Sequence, residues 1–236
     1  MKGSISRGAV GRGAIDELPP GDAGGGGGNL TFGGREGLLL VLSGPSGVGK
    51  DTAVQALLQA DPTLSFGVSV TTRKPRAGEL DGKDYIFVSE TLFKTWIAED
   101  RFLEWAWVHG NLYGTPRDRL LEALTAGRDI VLRPDVQGAL RISENFPDAC
   151  MVFLLPPTWK ELRARMEKRG GDSGEEMEQR IDAARREFNY LRNYDYVVIN
   201  DRLEDAVTTL LAIVRAERCK VHRNKILLGP EEEISD

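Results

Sequence analysis

Cysteine is scarce in this chain: 236 residues contain two, Cys150 and Cys219. That excludes a disulfide framework and fits a reducing compartment. No apolar run reaches the length that spans a bilayer, so no membrane partner is expected. A basic excess is also missing. The 31 Lys and Arg are outnumbered by 36 Asp and Glu, for a net charge of -5. No global field exists to coat nucleic acid, and any basic site must be local. Histidine occurs twice, His109 beside a turn and His222 at a helix end, and neither carries a catalytic expectation. Large apolar residues are rare before residue 37, where Pro19-Pro20 and the run Gly24 to Gly28 stand instead. Such a segment cannot bury enough surface to offset its ordering entropy, so residues 1–36 read as a disordered extension. Arg7 and Arg12 hint at an organelle transit peptide, while Asp16, Glu17 and Asp22 count against one. The address read from this is cytoplasmic, with plastid or mitochondrion as the alternative. Residues 226–236 read as an acidic tail.

What remains, 37–225, has the size of one domain. Short apolar runs alternate with helical patterns, the signature of a parallel sheet covered on both faces. The expected parallel strands are Leu38–Leu42, Phe66–Val70, Asp129–Arg133, Cys150–Leu155 and Tyr196–Ile199. The expected helices are Lys50–Ala60, Pro116–Ala126, Val136–Asn145, Thr158–Lys168, Glu175–Asn193 and Leu203–His222, with Thr115 as hydroxyl cap of the second. Residues 72–115 break the alternation. Asp84–Val88 and Phe102–Val108 read as antiparallel strands around a short helix, Glu90–Ala98, which makes a small β-rich insertion.

One segment carries most of the chemistry: Gly44, Pro45, Ser46, Gly47, Val48, Gly49, Lys50, Asp51 and Thr52. It follows an apolar strand and opens a helix, as a phosphate-cradling loop requires. Glycines let backbone N–H groups converge on a polyphosphate, the helix aims its positive end at the same anion, and Lys50 reaches the terminal phosphates. At the carboxyl end of the second strand stands Ser69, followed by Arg73 and Arg76 with a proline between them. Two arginines so spaced suit a bidentate grip on one phosphate, or make a solvated basic turn. Glu104 can accept both N1–H and N2–H of a guanine, and a Thr115 hydroxyl can donate to O6; adenine satisfies neither.

The order of these motifs resembles the guanylate kinase family from about Leu38 to about His222. The matching stretches are the phosphate loop, Thr71 to Arg76, Gly78 to Tyr85, Phe102 to Trp105, Gly110 to Thr115, Asp135 to Gly138 and Val198 to Asp201. The resemblance implies a nucleoside monophosphate kinase fold: a five-stranded parallel sheet with helices on both faces, a GMP-binding insertion at 72–115 and a helical lid at 165–192, the core comprising 37–71, 116–164 and 193–225. It implies phosphoryl transfer from ATP to GMP, and to dGMP, giving ADP and GDP with Mg²⁺ as cofactor. It places Ser69, Glu104 and Thr115 at the guanine and Arg73, Arg76, Tyr85, Tyr113 and Gly114 at the GMP phosphate side. The loop and Lys50 take the ATP phosphates, Asn200 lies beside adenine, and Arg165, Arg169 and Arg180 are the lid cations. Since the acceptor oxygen is already anionic, the protein has chiefly to supply positive charge and exclude water. A monomer or homodimer is expected.

Two departures from the family pattern coincide. Asp51 stands where Ser or Thr usually holds the metal, and Arg133-Pro134-Asp135 replaces the common Asp-x-Asp. The fold brings the end of that strand near the first helix, so an Asp51–Arg133 ion pair is expected. The same pair of changes looks similar to plastid, organellar and some bacterial members. For Mg²⁺ it leaves Asp51 acting through water, Asp135 taking over, or ATP itself as the main holder. The alternative of another class is an inactive guanylate-kinase-like module that binds protein partners; the intact loop and lid arginines count against it.

Overall fold

A computed structural model describes residues 30–76, 78–108, 110–169 and 174–228. The elements, in order, are β1 (Leu30–Arg35), β2 (Leu39–Ser43), α1 (Lys50–Ala60), β3 (Leu64–Phe66), β4 (Val70–Thr71), β5 (Ile86–Phe87), α2 (Glu90–Ala98), β6 (Phe102–Val108) and β7 (Asn111–Pro116). They continue as α3 (Arg117–Thr125), β8 (Asp129–Leu132), α4 (Val136–Asn145), β9 (Cys150–Leu155), α5 (Trp159–Arg169) and α6 (Gly174–Glu187). After a 3₁₀ segment, Phe188–Asn193, come β10 (Tyr196–Ile199), α7 (Leu203–Arg218) and β11 (Asn224–Leu228).

Five strands form a parallel sheet in the order β10-β9-β2-β8-β3. The central strand β2 is buried throughout because both faces are covered. Its side chains alternate between two cores. Leu40 and Leu42 join Leu57, Leu162, Ile181, Leu210 and Val214, whereas Leu39 and Val41 join Leu120, Ile130, Leu132, Ala139 and Ile142. The apolar runs at β2, β8 and β9 are therefore strands covered on both faces, while the edge strand β10 leaves Val197 and Ile199 exposed. Residues Phe32–Ile226 form one compact unit; the chain ends form another, of which Leu30–Thr31 and Leu227–Leu228 are described.

A four-stranded sheet, β5-β4-β7-β6, makes the insertion. β6 and β7 pair antiparallel, as do β4 and β7, while β4 and β5 run parallel. Phe93 of α2 stacks on Phe102 at 4.4 Å and closes a small core with Val70 and Leu112.

Several boundaries differ from the sequence reading. The expected strand Phe66–Val70 is two strands: β3 ends at Phe66 in the main sheet, and β4 begins at Val70 in the small one. The insertion sheet accordingly starts before residue 72 and ends at Pro116. Ile86–Phe87 pairs parallel, not antiparallel. Thr115 does not cap α3: Pro116, which has no side-chain acceptor, occupies the cap, and the Thr115 hydroxyl donates to Glu104. The extension read as disordered to residue 36 ends in a strand, β1, which pairs with β11, a strand that begins in the domain at Asn224 and runs into the segment read as tail. The rest of both segments, 1–29 and 229–236, lies outside the described residues.

Polar bonds explain how the end of β1 is held. Arg35 makes a bidentate pair with the buried Asp129 at 2.5 and 2.6 Å, and Arg218 donates to the same carboxylate at 2.7 Å while also holding Asp61. Leu38 N–H completes the set at 2.7 Å. Removing one member of such a cluster leaves buried charge without compensation. Asp129→Ala is expected to destabilise the fold by about 3–5 kcal/mol, read as a lower denaturation midpoint.

Candidate active site

The phosphate loop leaves β2 at Ser43 and enters α1 at Lys50. Two glycines are fixed by geometry. Gly44 has φ 141° and a Cβ there would stand 2.4 Å from the Leu154 carbonyl oxygen. Gly49 has φ 95° and a Cβ there would stand 2.6 Å from the Asn200 amide nitrogen. Any other residue would be strained and would push the loop off the sheet. Asn200 is 6% exposed and donates to the Val48 carbonyl at 2.8 Å, while its own carbonyl accepts from Arg165 at 2.9 Å. Asn200 is thus packed behind the loop and locks its shape.

Lys50 Nζ donates to the carbonyls of Gly44 and Pro45, at 2.5 and 3.1 Å, which folds the ammonium over the loop. The Asp51–Arg133 ion pair is present, with Asp51 half-exposed and Arg133 largely covered. The Arg133 guanidinium also lies 5.6 Å from the centre of the Phe66 ring. Asp135 caps α4, accepting from Gly138 N–H at 2.7 Å.

Across the site, Glu104 and Thr115 face each other on β6 and β7, and the hydroxyl donates to Glu104 Oε1 at 2.8 Å. Both are buried. Burial pushes the Glu104 carboxyl up to about 7; the Thr115 bond opposes this, Asp135 adds to it and Arg141 opposes it. Gly138 separates the two acids: a Cβ there would lie 3.0 Å from Asp135 Oδ1 and 3.4 Å from Glu104 Oε2. Gly114 is small for packing, since a Cβ would stand 2.7 Å from the Phe102 ring.

Arg73 is held differently from the sequence reading. Its guanidinium makes a bidentate pair with Glu79 at 2.8 and 2.9 Å and sits 5.3 Å from the Tyr85 ring centre. Glu79 also accepts from Arg76 N–H at 2.7 Å, while the Arg76 side chain is exposed. Tyr85 and Tyr113 meet edge-on at 6.0 Å, and burial raises the Tyr85 pKa. Ser69, partly buried, accepts from Ile86 N–H at 2.8 Å through its carbonyl, which fixes β5 beside β4. Of the lid cations, Arg180 donates to Ser46 Oγ at 3.0 Å and so reaches the loop from α6. Arg165 pairs with Glu161 at 2.8 Å. Arg169 ends α5, and its side chain lies outside what is described.

The sequence reading missed three acids: Glu79, Glu161 and Glu187. A carboxylate six residues after Arg73, and another one turn before Arg165, are visible in the sequence once those arginines are singled out. Burial raises the Glu187 pKa, Lys50 opposes the shift and Asp135 adds to it.

The sequence pattern of the guanylate kinase family matches residues 36–217. The chain belongs to that family. It is 51% identical over 193 residues to the guanylate kinase of Caldanaerobacter subterraneus subsp. tengcongensis, covering 82% of this chain and 94% of that protein. It is 47% identical over 189 residues to the guanylate kinase of Desulfitobacterium hafniense, covering 80% of this chain and 94% of that one. A crystal structure of guanylate kinase from Anaplasma phagocytophilum superposes with a TM-score of 0.69 at 34% identity, covering 82% of this chain and 92% of that chain. The parallel-sheet fold expected from the sequence is that of these kinases.

A stability effect follows from Glu104. Its folded pKa, about 7, lies above the ordinary value of 4.5. Between those two pH values the folded state binds the extra proton, so stability falls as pH rises through the window. The ionised carboxylate costs the fold about 3 kcal/mol above pH 7. Glu104→Gln is therefore expected to melt higher than the parent at pH 8 and close to it at pH 5, as thermal melts at the two pH values would show.

Proposed function

We propose that this kinase transfers the terminal phosphoryl group of ATP to GMP, and to dGMP, giving ADP and GDP. The observation that carries the reading is the buried Glu104–Thr115 pair in a chain of this family. A carboxylate excluded from water is costly unless a ligand brings donors to it. Guanine brings N1–H and N2–H, while adenine, with no donor at N1, leaves the acid unpaired.

Each group then has a task. Ser69, Glu104 and Thr115 hold the base. Arg73 and Arg76, flanked by Tyr85, Tyr113 and Gly114, take the GMP phosphate, with Arg73 exchanging Glu79 for the phosphate oxygens. Residues Gly44 to Thr52 cradle the ATP phosphates, and Asn200 backs the loop beside adenine. Lys50, Arg165, Arg169 and Arg180 surround the moving phosphoryl group, where positive charge lowers the barrier most. Arg180 leaves Ser46 for the phosphates when both substrates are in place, and the lid excludes water.

Among the described residues no group of three or more His, Cys, Asp or Glu could hold a metal ion. Asp51 and Asp135 alone fit a hard cation bound through water, with the remaining oxygens supplied by ATP. Mg²⁺ so bound would neutralise charge between the outer phosphates. The protein works on free nucleotides as a monomer or homodimer, and the cytoplasm is its place on this reading.

Purified protein given ATP and Mg²⁺ with GMP, AMP, CMP or UMP should release ADP with GMP alone. Turnover with none of them, despite measurable GMP binding, would overturn the proposal. Glu104→Gln should lower kcat/KM for GMP about a hundredfold, the effect of losing two hydrogen bonds to a charged acceptor. Arg133→Asp would set two acids beside the phosphates and weaken ATP binding by at least about tenfold, measured by calorimetry. Unchanged affinity there would mean the ion pair does not shape the ATP site.

A further inference from the structure

Glu104 is held from a side that none of the sequence motifs covers. β6, which carries it, is the edge strand of the small sheet, with β7 as its neighbour. The pairing slips just before Glu104: Phe102 stands opposite Pro116 and Glu104 opposite Thr115, so Leu103 is an extra residue. Such a bulge leaves the extra residue unpaired and re-aims the side chains around it. Phe102 enters the small core, Leu103 joins Leu39 and Val41 in the main one, and Glu104 turns to Thr115. The carbonyls on both sides of Glu104 then find donors on α4. Asn145 Nδ2 donates to the Leu103 carbonyl at 3.0 Å, and Arg141 Nη1 to the Trp105 carbonyl at 2.8 Å. Asn145 Nδ2 gives its second hydrogen to the Arg141 carbonyl, also at 3.0 Å. Gly138, one turn before Arg141, lies on the same stripe of the helix, and a Cβ there would stand 3.4 Å from Glu104 Oε2. The helix itself is anchored to the main sheet. Ala139 and Ile142 sit in the core, and the Pro134 carbonyl just ahead of the cap accepts from Ser43 Oγ at 3.2 Å. Arg141 and Asn145 are both exposed, so neither is there to fill a core.

We infer that Arg141 and Asn145 are positioning residues for guanine recognition: by gripping the backbone on both sides of Glu104 they set where its carboxylate stands. Thr115 fixes Oε1 across the hairpin at 2.8 Å. The other oxygen, Oε2, lies toward Gly138, so its place depends on how closely β6 is drawn to α4. A carboxylate that accepts from two donors on one base edge needs both oxygens aligned with that edge, and a small shift of β6 spoils one bond of the pair. Without Asn145 the buried bulge carbonyl loses its donor, and β6 relaxes away from the helix. The inference rests on Glu104 being the acid that binds guanine.

The test is calorimetric binding of GMP and of inosine monophosphate (IMP), whose base lacks the 2-amino group. It uses the full chain as wild type, Asn145→Leu, Arg141→Met, Arg141→Lys, Glu104→Ala and the Asn145→Leu/Glu104→Ala pair, with a melting temperature for each. Asn145→Leu keeps the shape and removes the donor. It should weaken GMP about tenfold, as the loss of one hydrogen bond to a charged group does, and weaken IMP less. The preference for GMP over IMP should therefore narrow, while ATP affinity stays as in the wild type. Arg141→Met should act in the same direction, and Arg141→Lys, which retains a donor, should recover part of the loss. In the Glu104→Ala background Asn145→Leu should change GMP affinity no further, because no carboxylate remains to be placed. An Asn145→Leu protein with wild-type GMP affinity and preference, an equal loss with and without Glu104, or losses shared by ATP would overturn the inference. So would a loss confined to Arg141→Met, which would reduce the role of α4 to the charge of its arginine. A wild type that binds GMP no better than IMP, or a Glu104→Ala protein that binds GMP as the wild type does, would sink the proposed reading of guanine itself.

Discussion

Everything at this site depends on how closely the phosphate loop approaches the sheet. The loop is built where β2 ends between β8 and β9, and Gly44 comes so near the Leu154 carbonyl that no side chain fits. Asn200 closes the opposite side, its amide bonded to Val48 and backed against Gly49. The loop N–H groups are therefore held by rigid neighbours before any nucleotide arrives, which is the preorganisation that charge stabilisation needs. The two cores serve this arrangement. They bury β2 on both faces and fix the edge from which the loop springs.

Electrostatics around the loop is organised in opposite-charge partnerships. Asp51 is matched by Arg133, Arg73 by Glu79 and Arg165 by Glu161. Arg73 and Arg165 are thereby held in place by carboxylates. Glu104 differs: its hydrogen-bond partner is a hydroxyl, and burial raises its pKa against the opposing pull of that bond and of Arg141. An acid left so costly to ionise reduces stability, a recurring feature of sites shaped for a ligand.

How much of this the sequence reveals depends on the range of the interaction. Periodicity and turn residues locate α1, α2, α4, β6, β9 and β10 to the residue, because those elements are decided locally. The break between β3 and β4 falls at Gly67 to Ser69: the alternation of Phe66, Val68 and Val70 reads as one strand, and pairing with two different sheets divides it. Thr115 before Pro116 has the pattern of a helix cap, yet the carboxylate across the hairpin takes its hydroxyl. Charge complementarity, together with the strand-to-helix proximity that the family resemblance implies, pairs Asp51 with Arg133 across the fold. Glu79 and Glu161 escaped notice because an acid on a helix or turn has no signature until its cation is known to face it. The β1–β11 ribbon was equally hidden, since its strands lie at opposite ends of the chain.

In the proposed reading, a buried carboxylate gives up its proton to bind guanine. Calorimetric titration of GMP near pH 6, repeated in buffers of different ionisation enthalpy, counts protons exchanged on binding. With its pKa at about 7, Glu104 is mostly protonated there and must ionise to accept the guanine donors. Wild-type protein should release close to one proton more than Glu104→Gln does. Equal proton release by the two proteins would contradict the account and remove Glu104 from base recognition.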